Sequence, residues 1–397
     1  MAIAGKVRRH MKEASWIRRM FEAGIALKQQ YGPEKVFDLS LGNPILEPPA
    51  RFQEEMERLA RSPKLGMHRY MPNAGYPETR EAVAAYIKRE TGLPFTLNEV
   101  VMTCGAGGGL NVVLKAILDP GDEVVVFAPY FPEYPFYIDN HGGTTVTVST
   151  DRAFLPDLAA LERCLSPRTR AVIINSPNNP SGVVYPSGHL KELGGLLERK
   201  MAQSGRTIYL VSDEPYARLI YDGLKYPYPY PHYRHTIAAT SYSKDLSLAG
   251  ERIGYIAVNP ECPGKKELLD ALVFCNRVLG FVNAPALMQH LVARLADVTV
   301  DVGWYQERRD RLYGALTEEG YQVIRPQGAF YLFPRSPLED DVAFVQELQR
   351  NLVLAVPGQG FGTPGYLRLC YSVEDWVLDG AIDGLRKVAR GMAHGSG

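Results

Sequence analysis

The stretch TIAATSYSKDLSLAGERIGYIAV, residues 236–258, decides the fold class. Its ends, 236–241 and 253–258, are short apolar runs holding Thr, Ile and Val, the composition of buried strands. The segment between them is too short for the helical crossover that a parallel partner needs, so the second run is expected to return antiparallel. Ser241, Ser243 and Lys244 stand at the end of the first run, and Arg252 stands just before the second.

The same pattern recurs along the chain. Strand candidates lie at 100–103, 124–127, 144–148, 171–175 and 207–212, with helical stretches such as 107–117 and 187–202 between several of them. Strands alternating with helices predict an α/β fold, a mainly parallel sheet of seven strands. Ligands of such sheets bind beyond the carboxyl ends of the strands, so the informative residues should follow the runs. After NAPALMQ, residues 283–289, the pattern changes. From about residue 291 a long helix or helix pair precedes short strands and helices, with GAFYLFPRSP and GYLRLCYS as the strand candidates, a smaller α+β domain. KYPYPYPHYRH, residues 225–235, alternates Pro with Tyr and reads better as a rigid surface loop than as a polyproline II ligand.

Composition excludes several function classes. The 397 residues carry no formal net charge, which argues against nucleic acid or an anionic membrane as partner. The five cysteines are dispersed, without metal-ligand spacing or a disulfide framework, so no metal is expected and a reducing, cytoplasmic location is. No apolar run is long enough to span a bilayer. The basic N-terminal segment reads as a helix with one packed and one solvated face rather than a membrane-surface helix.

Each strand end offers an ordinary and a chemical reading. CGAGGGLNVVLKAIL, 104–118, is a glycine-rich turn opening a helix. That is a tight turn or a phosphate site built from backbone N–H groups and the helix dipole, and it matches neither the dinucleotide nor the P-loop pattern. Phe131 in APYFPEYPFY is core or a ring stacker. Asn179 in SPNNPSG is a turn residue or a donor to a ligand oxygen. Asp213 in DEPY is a cap, an ion-pair member, or an anion that keeps a ligand nitrogen protonated. Lys244 is a solvated lysine or a desolvated nucleophile for carbonyls. Ser241, Ser243 and Arg252 supply phosphate donors. Taken together, phosphate donors, a ring stacker, a carboxylate and a reactive lysine at one end of one sheet are what pyridoxal 5′-phosphate requires.

In the order and spacing of NSPNNPSG, SDEPY and SYSKDLSLAGERIGY, and from SLGNP to GYLRLCYS over nearly the whole chain, the sequence resembles the class I/II aminotransferases, the aspartate-aminotransferase-like pyridoxal-phosphate enzymes. The resemblance implies a large cofactor-binding domain at 49–290 and a small domain made of 1–48 and 291–397. It implies that Lys244 is the Schiff-base lysine and proton shuttle and that Asp213 pairs with the pyridine nitrogen. Asn179 and Tyr216 would contact the ring oxygen, and Phe131 would stack on the ring. Ala106, Gly107, Ser241, Ser243 and Arg252 would cradle the phosphate. Tyr70 would reach the phosphate of a neighbouring subunit, which implies a homodimer with shared sites. Arg368 would clamp the substrate α-carboxylate, with Gly42 and Asn179 beside it. The turn AGGG lacks the polar side chain that some relatives carry, which leaves the phosphate more to backbone groups.

The implied reaction moves an amino group from an L-amino acid to a 2-oxo acid, with 2-oxoglutarate the expected acceptor, in a ping-pong cycle. β-Elimination, decarboxylation, racemisation, γ-replacement and oxidation start from the same lysine-linked cofactor and stay open at this stage. SYSK echoes a serine acyl-enzyme signature, but its partner motifs are missing. A DNA-binding regulator on this fold needs a longer module before SLGNP. No arginine stands out for a second substrate carboxylate; Arg69, Arg277 and Arg325 are the candidates.

Overall fold

The structure, a computed structural model, describes residues 3–12 and 16–394. The large sheet contains β1 (Val100–Thr103), β2 (Glu123–Ala128), β3 (Thr144–Ser149), β4 (Thr169–Asn175), β5 (Tyr209–Asp213), β6 (Thr236–Ser241) and β7 (Gly254–Val258). They lie in the order β1-β7-β6-β5-β4-β2-β3. β7 runs antiparallel to both neighbours, as the short connection after β6 requires, and the other six strands share one direction.

Strand periodicity places the core on both faces of this sheet. Val125, Phe127, Val172, Ile174 and Leu210 enter one buried cluster, and Val124, Val126, Ala171, Ile173 and Val211 enter another. Successive residues point to opposite faces, so strands covered on both sides read as continuous apolar runs. The helices Gly105–Ile117 and Ser187–Ser204 start where the sequence places them, to within two residues.

The second region is built from chain segments far apart in sequence. Phe37–Asp38 pairs in parallel with Val353–Leu354, and a three-stranded antiparallel sheet joins Val356–Pro357, Leu367–Cys370 and Tyr331–Leu332. The helical stretch expected from about residue 291 is a pair, Ala286–Val292 and Val302–Glu318. The second member starts where the Asp301 side chain accepts from the N–H groups of Gly303 and Trp304. Its partner Asp375–His394 ends the described chain.

KYPYPYPHYRH departs from the expected surface loop. Tyr230 and Tyr233 are buried, and Tyr226 and Tyr228 are half-buried. Pro229, between Tyr228 and Tyr230, is buried as well, so the segment packs against the protein on more than one side. In the basic N-terminal segment the described residues form the helices Gly5–Lys12 and Trp16–Tyr31, and residues 1–2 and 13–15 lie outside them. Among the described residues, no helix is long and apolar enough to cross a membrane, and no cluster of His, Cys, Asp and Glu is placed to hold a metal.

Candidate active site

A cavity of about 330 Å³ opens at the carboxyl ends of β4, β5 and β6. Every residue given a cofactor or α-carboxylate role from the sequence lines it except Tyr70. One end is formed by Ala106, Gly107, Ser241, Ser243 and Arg252, the floor by Asp213 and Lys244, and the far wall by Gly42, Asn179 and Arg368. Phe131 and Tyr216 flank the middle.

The first end is a helix start. Helix Gly105–Ile117 follows β1 directly, and Gly105 takes a left-handed φ of 71°. The left-handed backbone favours glycine there, and a Cβ at Gly105 would lie 2.9 Å from Arg252 Nη2 and displace the guanidinium. The turn therefore brings the first N–H groups of a helix, where an anion is favoured, against the Arg252 guanidinium. Ser241 and Ser243 are buried, and among the described residues neither hydroxyl bonds another protein group.

Asp213 ends β5, and its side chain is held on one side only. Tyr134 donates its hydroxyl proton to Oδ2 at 2.5 Å, while Oδ1 is buried without a partner. Burial pushes the carboxyl up to about 7, and the Tyr134 hydrogen bond opposes that rise. Asn175 braces the same strand end by donating from Nδ2 to the Asp213 carbonyl at 2.9 Å and accepting from the Asn179 N–H at 2.7 Å.

Lys244 is half-buried and donates from Nζ to the Gly42 carbonyl at 2.8 Å. Its Nζ also sits 5.3 Å from the centre of the Phe330 ring. Burial brings the ammonium down to about 8, with the Arg368 and Arg252 charges adding to the effect. A lysine so placed spends an appreciable fraction of its time as a free amine near neutral pH.

Arg368 is 2% exposed. Nη1 donates to Asn179 Oδ1 at 3.1 Å and Nη2 to the Ser40 carbonyl at 2.5 Å, while Nε has no partner. The guanidinium lies 4.6 Å from the Tyr331 ring centre and 5.0 Å from that of Phe361. Among the described residues, no carboxylate pairs with it. A buried guanidinium without an anion leaves a strong, directional site for one.

Tyr70 is 91% exposed and lies away from this cavity. The three arginines considered for a second carboxylate do not line it either, and Arg325 is bound instead to Asp310 at 2.9 Å. The sequence reading missed Tyr134, Tyr137 and Tyr331. Tyr331 bonds Tyr216 hydroxyl to hydroxyl at 2.9 Å, and it occupies the space that a side chain on Gly42 would need. The strand position of GAFYLFPRSP was the available signal, because an aromatic at a strand end faces either a core or a cavity.

These residues suit a phosphorylated pyridine aldehyde. The unpartnered Asp213 Oδ1 meets the need of a protonated ring nitrogen, the Lys244 amine that of an aldehyde, and the helix start with Arg252 that of a phosphate.

Comparison with known proteins agrees. Residues 34–385 match the family described as aminotransferase class I and II. The chain is 34% identical over 362 residues to the aspartate/prephenate aminotransferase of Thermus thermophilus, covering 88% of this chain and 90% of that protein. An aminotransferase from Eubacterium rectale superposes with a TM-score of 0.95 at 37% identity, covering 98% of this chain and 99% of that one. The Thermus thermophilus aspartate aminotransferase with maleate superposes with a TM-score of 0.84 at 30% identity, covering 98% and 100%.

Proposed function

The chain belongs to the class I and II family of pyridoxal-phosphate-dependent aminotransferases, and from that premise we propose that it moves the amino group of an L-amino acid to a 2-oxo acid with Lys244 as the group that moves the proton. The observation that carries the proposal is the pairing, in one cavity, of the unpartnered Asp213 Oδ1 with the half-buried Lys244 amine, opposite the anion-free Arg368. When bound, pyridoxal 5′-phosphate supplies an electron sink that stabilises negative charge at the substrate Cα.

Arg368 receives the α-carboxylate in two parallel hydrogen bonds, using Nε and the guanidinium edge, while Asn179 and the Ser40 carbonyl keep the fork in plane. That fixes the Cα hydrogen relative to Lys244. The Lys244 amine, brought down to about 8, would take that proton from the substrate Cα and hold it for redelivery. Such acid–base help contributes roughly 10²–10⁴-fold. Asp213 would hold the ring nitrogen protonated, and Asn179 and Tyr216 would bond the ring oxygen. Phe131 would pack against the ring. Ala106, Gly107, Ser241, Ser243 and Arg252 would hold the phosphate.

The exposed Tyr70 supports a homodimer in which each subunit lends this residue to the other's phosphate. The pairing of Phe37–Asp38 with Val353–Leu354 supports a small domain made of 1–48 and 291–397 beside a large one at 49–290. The names of the relatives make aspartate the first donor to test, and 2-oxoglutarate is the acceptor that the sequence resemblance leads us to expect. Purified protein given both should form glutamate and oxaloacetate, with a visible absorption band that changes on adding donor alone. Formation of pyruvate, ammonia or peroxide without a new amino acid would replace this reading with another reaction of the same cofactor.

A further inference from the structure

Among the described residues, Asp213 is the one carboxyl in the cavity lining, and one of its two oxygens is already committed. Its partner, Tyr134, begins the short helix Tyr134–Asn140 on the far side of the strand ends and is 2% exposed. The phenol stays a donor, because burial and the Asp213 charge push its pKa well above the usual tyrosine range. The other titratable groups that sense this pair are Tyr137 on the same helix, Tyr185, Tyr226 and the neighbouring Glu214. None of them bonds the Asp213 carboxylate; the Glu214 side chain even leaves its own Oε1 unpartnered. Among the described residues, a single side-chain hydrogen bond therefore orients the Asp213 carboxylate.

We infer that Tyr134 is a positioning residue, whose hydroxyl anchors Asp213 Oδ2, turns Oδ1 into the cavity and favours the ionised carboxylate. A donor to a carboxylate stabilises its charged form, so losing the phenol makes Asp213 harder to ionise. The effect on the reaction rests on the role proposed above for Asp213, but the effect on the carboxyl itself does not.

Tyr134→Phe removes the donor and keeps the ring. In cofactor-free protein with ¹³C-labelled aspartate, the Asp213 titration midpoint should move up by about one pH unit. In the loaded enzyme, the dissociation constant for pyridoxal 5′-phosphate should weaken about tenfold and the acid limb of kcat/KM should shift to higher pH. In an Asp213→Asn background, the same substitution should change the dissociation constant less than about twofold, because the group it acts through is gone. An unchanged Asp213 midpoint in Tyr134→Phe, or an equal loss in the Asp213→Asn background, would overturn the inference. Loss of the functional reading alone would appear differently, as wild-type protein that binds no cofactor while the Asp213 midpoint still responds to Tyr134.

Discussion

On the floor of the cavity, Asp213 and Lys244 stand at the ends of neighbouring strands, and burial drives both toward neutrality, the carboxyl up to about 7 and the amine down to about 8. On the opposite wall Arg368 is buried too, but it is a guanidinium, a group that does not deprotonate in proteins, steadied by carbonyl and amide oxygens and two aromatic faces. The floor is made of groups whose charge is cheap to change, and the wall of one whose charge is fixed. A proton moved during the reaction needs the first kind. A substrate carboxylate that stays charged throughout needs the second.

The largest expected effect breaks the floor. Asp213→Asn keeps the shape but not the charge, and kcat should fall about 10²–10³-fold with little change in substrate KM. Steady-state rates across a donor panel check this; a loss confined to KM would place Asp213 on the substrate side instead. The wall comes next. Arg368→Ala should lower kcat/KM by about 10²-fold for every amino acid tested, and Arg368→Lys should recover only part of it, because an ammonium cannot reproduce the planar fork. Equal activity of the lysine variant would show that charge alone suffices there.

The contrast also predicts a pH signature in cofactor-free protein. The Asp213 carboxyl titrates near 7 when folded against 3.8 ordinarily, so the folded state holds the extra proton between those values. Its contribution to stability is full below about pH 4 and is lost as pH rises toward 7, by on the order of 4 kcal/mol. Urea denaturation at several pH values should show a shallower decline for Asp213→Asn than for wild type. The smallest effect belongs to Tyr331→Phe, which removes the hydroxyl bonded to Tyr216 and should cost about 2–10-fold in kcat/KM. No effect would mean that the Tyr331 ring under Arg368 matters and its hydroxyl does not.

The same contrast explains what the sequence disclosed. The floor lies in contiguous motifs at strand ends, where SDEPY and SYSKDLSLAGERIGY carry charged or reactive side chains just after buried runs. The spacing of β6 and β7 settled the direction of the last strand. The wall joins Ser40 and Gly42 to Tyr331 and Arg368, three segments that are far apart in the chain. Part of it is a backbone carbonyl, which leaves no mark in a sequence. Tyr134 was missed for another reason: a buried tyrosine looks the same whether its hydroxyl ends in a core or on a functional carboxylate. The two-residue strand Phe37–Asp38 is too short for any periodic signal.

The central claim is that Lys244 is the residue to which the cofactor is attached and through which the proton moves. Borohydride reduction of the purified, cofactor-loaded protein, followed by peptide mass mapping, tests it directly. The cofactor mass should be found on the peptide containing Lys244 and be absent from Lys244→Ala protein. A reduced adduct on another lysine, with Lys244→Ala still forming glutamate from 2-oxoglutarate, would contradict the account.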